Sequence, residues 1–264
     1  MPVPAIRVPD STAGAQLIEV FSSIQGEGTL LGRRQVFVRF AGCNLHCHYC
    51  DTPYAPREEC RVEEIPGSGD FTLWKNPVQL ERILAYTRSL LETDSSGRHT
   101  HHSFALTGGE PLQQVEILCE WLPGLRELLP VQLETNGTLP DALVRVLPWL
   151  DWVVMDIKLE SQTMAPTAWE VHREFLRLAL QTRCCVKLVA GESTPDAELH
   201  AAGALMAEVA LPYLANFDVV LQPRTINGGC SVSAQTLLRQ QDILAGYDLD
   251  VRVIPQTHCF MHLL

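Results

Sequence analysis

Three cysteines lie within eight residues, in the run Cys43-Asn-Leu-His-Cys47-His-Tyr-Cys50. Thiolates are soft ligands, and three this close in the chain can wrap one compact metal centre. A structural zinc takes four ligands, and His46 and His48 stand inside the loop where they could complete such a site. A 4Fe–4S cube also takes four ligands when closed. Three cysteines spaced C-x3-C-x2-C leave one iron of the cube open, which is what chemistry at iron requires. The spacing therefore favours an open 4Fe–4S cluster on Cys43, Cys47 and Cys50 over zinc or plain thiols. The nine cysteines suit a disulfide framework poorly, being odd in number with Cys184 and Cys185 adjacent. Cys60, Cys119, Cys184, Cys185 and Cys230 read as small core or surface residues.

A second group of candidates is polar and rich in glycine. Thr107-Gly-Gly109-Glu-Pro follows an apolar run. Two glycines let backbone approach a ligand closely and adopt dihedrals closed to other residues. The same five residues also suit an ordinary turn before a helix that starts on proline. Further such stretches are Ile24-Gln25-Gly26-Glu27, Asp51-Thr52, the TNGT after Glu134, Asp156-Ile157-Lys158, Gln222-Pro223 and the PQTH that ends in His258.

The elements that would position these residues alternate. Apolar runs near 35–40, 103–106, 131–134, 152–157, 185–190, 217–221 and 250–254 read as strands, after a short strand near 18–21. Helical spacing fills 77–93, 111–128, 140–147, 168–181, 195–209 and 233–244. Strands alternating with helices imply a parallel sheet. The pattern predicts an α/β fold, an incomplete TIM-like barrel of about six parallel strands with outer helices. It predicts one domain over residues 1–264, with a loose arm at 1–16 and a cluster loop at 41–55. Residues 56–76 read as a polar loop. Each candidate stretch follows a strand, and in parallel barrels the carboxyl ends of the strands hold the ligands.

The cysteine spacing, with Tyr49 before the last cysteine, and the TGGEP segment resemble the radical S-adenosylmethionine superfamily. The QGEG turn, Arg39, the CDT after the cluster, and the LETNGT, MDIKLES, LQPRT and VIPQTH segments resemble, more narrowly, the 7-carboxy-7-deazaguanine synthases of queuosine and deazapurine biosynthesis. The resemblance implies a lyase. Its open iron binds S-adenosylmethionine, and an adenosyl radical takes hydrogen from 6-carboxy-5,6,7,8-tetrahydropterin. Ring contraction and loss of ammonia then give 7-carboxy-7-deazaguanine. It also implies roles. Ile24, Gln25, Gly26, Arg39 and Thr107 would bind substrate, and Glu27 could accept from the pterin amino group. A guanidinium at Arg39 suits a carboxylated heterocycle through forked hydrogen bonds. Tyr49, Cys50, Asp51, Gly109, Asp156, Ile157, Lys158, Gln222 and Pro223 would contact S-adenosylmethionine, and Thr52 would bind magnesium. An electron donor such as flavodoxin or ferredoxin and a homodimer are implied as well. One departure stands at the end: where the family commonly has lysine after the histidine of the last motif, this chain has Cys259.

Glycyl-radical activating enzymes also carry C-x3-C-x2-C, GGEP and an Asp-x-Lys segment, but lack the QGEG turn and CDT. A non-catalytic α/β protein stabilised by zinc is the other rival reading. The formal net charge of −11 argues against nucleic acid or an anionic membrane as a main partner. The N-terminal residues show no basic run followed by an apolar stretch, and no segment is long and apolar enough to span a bilayer. A cytoplasmic setting is expected, where thiols stay reduced.

Overall fold

The computed structural model describes residues 14–47, 50, 52, 55–91, 99–210 and 217–263. In chain order the strands are β1 (Leu17–Ile24), β2 (Arg34–Phe40), β3 (Glu59–Glu63), β4 (Phe71–Lys75), β5 (His101–Gly108), β6 (Val131–Thr135), β7 (Trp152–Asp156), β8 (Arg183–Ala190), β9 (Phe217–Pro223), β10 (Thr225–Ile226), β11 (Gly229–Cys230) and β12 (Val251–Val253). The helices are α1 (Leu80–Leu91), α2 (Val115–Leu128), α3 (Pro140–Val146), α4 (Glu160–Thr163), α5 (Trp169–Ala179), α6 (Asp196–Ala210), α7 (Ala234–Ala245) and α8 (Thr257–Met261).

Ten strands form one sheet in the order β12-β9-β8-β7-β6-β5-β2-β1-β3-β4. From β2 through β12 every neighbouring pair is parallel, so seven strands make an open partial barrel with β12 at its edge. The parallel strands alternate with a period of two. Val36, Val38, Phe104, Leu106, Leu133, Val153, Met155, Val186, Leu188, Val219 and Leu221 belong to the large core that the sheet shares with the helices. Their alternates Gln35, Arg39, Thr107, Glu134, Asp156, Lys187 and Gln222 must point to the opposite face. The helices supply matching stripes. In α5, His172, Phe175, Leu176 and Ala179 are buried at i, i+3, i+4 and i+7. Among the described residues no helix is long and apolar enough to cross a membrane.

Two expectations need correction. The stretch 56–76 is not a loop: it holds β3 and β4, which extend the sheet beyond β1. Its signal is faint because β3 is five residues long and its buried Cys60 and Val62 alternate with charges. The arm expected at 1–16 is anchored where it is described. Ala15 is fully buried and exchanges two backbone hydrogen bonds of 2.8 Å with Val78.

Candidate functional site

Three loops at the carboxyl ends of the strands are tied together by the protein's own hydrogen bonds. After β2 the chain turns at Gly42, with φ +90°. The Gly109 N–H donates to Phe40 O at 3.0 Å and the Glu110 N–H to Gly42 O at 2.7 Å, which straps the TGGEP segment to the root of the cysteine loop. Only glycine fits at Gly108, whose φ is +124° and where a Cβ would stand 2.3 Å from Phe40 O. Glu110 is fully buried and accepts from Leu112 N, from Thr135 Oγ1 and from Asn136 N. Burial pushes its carboxyl up to about 7 against those hydrogen bonds. Asn136 then reaches Cys43 Sγ at 3.8 Å and Asn44 Oδ1 at 2.8 Å. Glu110 thus caps the turn begun by Pro111 and braces the TNGT loop against the cysteine loop.

Cys43, Cys47 and Cys50 line one cavity of about 620 Å³, within the size range of small-molecule sites. The Cys50 N–H closes a turn onto Cys47 O at 3.2 Å. Burial raises the Cys43 and Cys47 thiols, while the Lys158 ammonium opposes the rise in both. The donor set, three thiolates spaced C-x3-C-x2-C on one loop and facing one cavity, fits a 4Fe–4S cube held by three of its irons.

The turn after β1 lines the same cavity. Gln25 is buried, and its side chain serves the protein itself. Its amide donates to Gln35 Oε1 at 2.9 Å and to Glu134 Oε1 at 2.7 Å, and its oxygen accepts from the Glu27 N–H at 3.0 Å. Glu134 also accepts from Gln132 and, at 3.2 Å, from Thr107 Oγ1. Burial raises its carboxyl. Glu27 pairs with Lys187 and accepts from Gln256 Nε2 at 2.7 Å. The C-terminal segment closes over this turn, because Thr257 donates to Gly26 O from both its N–H (2.9 Å) and its hydroxyl (3.1 Å).

Of the residues expected at a site, Ile24, Gln25, Gly26, Glu27, Arg39, Thr52, Thr107, Gly109, Asp156, Lys158, Gln222 and the three cysteines all line this cavity, as do His258 and Cys259. Arg39 Nε donates to Glu19 Oε1 at 2.8 Å, and its Nη1 lies 3.5 Å from Thr52 Oγ1. Asp156 pairs with Lys158 at 2.5 Å. Among the described residues Gln222 Oε1 is buried without a hydrogen-bond partner, an acceptor that suits a ligand's donor. Ile157 departs from the group, with its side chain buried in the outer core. Pro223 ends β9 without lining the cavity. Tyr49 and Asp51 lie outside the described residues.

Sequence reasoning passed over Glu134, Lys187, Arg224 and Gln256 as site residues, although all four line the cavity. The available signal was a polar residue at an alternate position of an otherwise apolar strand, as Lys187 is in CVKLVA. Register completes the site by placing Asp156 beside Lys187 and Arg39 beside Thr107. Among the described residues the wall carries six cationic side chains (Arg39, Arg57, Arg61, Lys158, Lys187, Arg224) against four carboxylates (Glu19, Glu27, Glu134, Asp156). An acidic chain thus presents a cavity suited to an anionic ligand.

Residues 37–163 match the family model described as the Radical SAM superfamily. The chain is 46% identical over 256 residues to a 7-carboxy-7-deazaguanine synthase of Geobacter sulfurreducens, covering 95% of this chain and 98% of the relative. It is 33% identical to a 7-carboxy-7-deazaguanine synthase of Archaeoglobus fulgidus, over 94% of this chain and 98% of that one. The solved structure of QueE from Escherichia coli shares the fold, with a TM-score of 0.56 and 19% identity over 91% of this chain and 93% of that chain.

Proposed function

The chain belongs to the 7-carboxy-7-deazaguanine synthase family of radical S-adenosylmethionine enzymes, and from that premise we propose that its cavity converts 6-carboxy-5,6,7,8-tetrahydropterin into 7-carboxy-7-deazaguanine with loss of ammonia. The observation that carries the reading is the meeting of the three cluster cysteines, the QGEG turn, Arg39 and Thr107 on one cavity. When bound, the 4Fe–4S cluster and S-adenosylmethionine supply the hydrogen-abstracting radical chemistry, which is the cofactor's own.

The chain's share is to hold, orient and shield. Cys43, Cys47 and Cys50 hold the cluster. The backbone at Gly109 and the side chains of Asp156, Lys158 and Gln222 face S-adenosylmethionine, while Ile157 and Pro223 anchor the strand ends that carry them. Tyr49 and Asp51 join them on the strength of sequence likeness. Glu27 accepts hydrogen bonds from the N–H edge of the pterin, and Ile24 and Gly26 offer backbone to it. Gln25, whose amide is engaged with Gln35 and Glu134, orients the turn rather than reaching out. Arg39, steered by Glu19, takes the substrate carboxylate, and Thr107 approaches the ring. Thr52 offers magnesium a hard oxygen, with substrate oxygens and waters completing six-fold coordination. The reading carries with it a cytoplasmic homodimer reduced by a flavodoxin or ferredoxin.

The test is anaerobic. Reconstituted protein is incubated with carboxytetrahydropterin, dithionite and S-adenosylmethionine, with and without magnesium, and a deazapurine carboxylate is expected. Absence of that product from cluster-loaded protein would refute the reaction, and zinc without sulfide in the purified chain would refute the cluster.

A further inference from the structure

We infer that Lys187 is a positioning residue of the substrate site, one that holds the Glu27 carboxylate ionised and aimed so that it can receive a pair of adjacent N–H donors. The inference rests on the reading of Glu27 as the acceptor for the pterin edge.

Lys187 sits in the middle of β8 with 7% of its surface exposed. A buried ammonium is costly unless it is paired, and this one pairs with Glu27 while its Nζ lies 3.5 Å from Asp156 Oδ1. The two carboxylates do not depend on it equally. Asp156 has Lys158 at 2.5 Å, so it keeps a cation if Lys187 is removed. Glu27 would be left with the neutral amide of Gln256 and the weaker charge interaction of His258, with no lysine or arginine ion pair of its own among the described residues. Burial alone favours the neutral acid, yet the Lys187 charge, its hydrogen bond and that of Gln256 hold Glu27 down to about 2.

The geometry leaves Glu27 able to bind. Lys187 uses Oε2 and Gln256 uses Oε1. A carboxylate oxygen has two lone-pair sites, so one remains on each atom. A pterin offers a ring N–H beside an amino group, a donor pair that an ionised carboxylate matches and a neutral acid or a rotated one does not. Lys187 and Gln256 come from segments 160 and 229 residues away from Glu27, so the fork is oriented by tertiary structure from both sides.

The test compares the parent, Glu27→Gln, Lys187→Met, Lys187→Arg and the double variant Lys187→Met/Glu27→Gln, each as cluster-loaded protein with S-adenosylmethionine. Affinity for 7-carboxy-7-deazaguanine is read by calorimetry beside substrate KM, kcat and S-adenosylmethionine affinity. Glu27→Gln and Lys187→Met are each expected to weaken product binding about tenfold to a hundredfold, as for a lost hydrogen bond to a charged group. KM should rise more than kcat falls, and Lys187→Arg should recover most of the loss. The double variant should be within about threefold of Glu27→Gln, because two residues acting through one contact are not additive. If Lys187→Met does not fold, the double variant still tests the coupling, since it also removes the stranded carboxylate. Parental product affinity in Lys187→Met, independent effects in the double variant, or a parallel loss of S-adenosylmethionine affinity would each overturn the inference. Parental affinity in Glu27→Gln would instead remove the underlying reading of Glu27, and the inference with it.

Discussion

Replacing Gly26 by alanine should unseat the C-terminal segment from the substrate turn. A Cβ at this position would stand 2.3 Å from His258 Nδ1, 2.6 Å from His258 Cβ and 2.7 Å from His258 N. Turning the imidazole cannot relieve the clash, because the last of those atoms is backbone. The segment must lift, and both Thr257 hydrogen bonds to Gly26 O are then broken. At about 1 kcal/mol each they account for about 2 kcal/mol, or roughly thirtyfold in an equilibrium. Global stability should suffer little, since α8 contributes no buried residue. Gly26→Ala is therefore expected to raise substrate KM about thirtyfold while iron content and S-adenosylmethionine affinity stay parental. Limited proteolysis should cut the tail near Thr257 faster. An unchanged KM together with a parental cleavage pattern would show that the tail does not form the closed contact on which this reasoning depends.

Three further outcomes are expected. Gly108→Ala places a methyl 2.3 Å from Phe40 O and 2.5 Å from Phe40 N at φ +124°, and should cost about 3 kcal/mol, seen in calorimetry as a Tm lower by roughly 6–10 °C with reduced iron loading. His172 Nδ1 lies 3.1 Å from Gly137 O and its Nε2 accepts from the Lys158 N–H at 3.4 Å, so the neutral ring is the form that fits, and burial lowers it from 6.5 to about 4. The unfolded chain therefore takes up the proton first. Stability present above pH 6.5 should be lost as pH falls toward 4, by about 3 kcal/mol for this group, and denaturant titrations of His172→Gln should show a smaller loss over the same interval. Thr52→Ala should raise the magnesium needed for half-maximal rate at least about tenfold, the scale of a weakened metal site, with iron and sulfide counts unchanged.

Much of the site was legible because its residues sit in short contiguous motifs. The cysteine loop declares a metal centre within a few positions, TGGEP and QGEG take their meaning from family resemblance, and β-α alternation placed all three at the same end of the strands. The strands β3 and β4 are faint in the sequence because each has only five residues, β3 alternating buried residues with charges and β4 lying exposed at the sheet edge, and so carries little hydrophobic periodicity. Lys187 escaped notice because one polar residue in an apolar run reads as noise until its neighbours across the sheet are known.

Composition, spacing and local pattern determined the metal chemistry, the open α/β barrel and the set of loops that face the ligand, since each depends on residues close together in the chain. Tertiary structure alone decided which charges meet. Glu27, Lys187 and Asp156 come from three separate strands or turns and become an ion-paired group only when β7 and β8 align in register and the β1–β2 turn folds over them. That alignment is set by packing of the outer core, whose contacts are too far apart in sequence for any local pattern to encode.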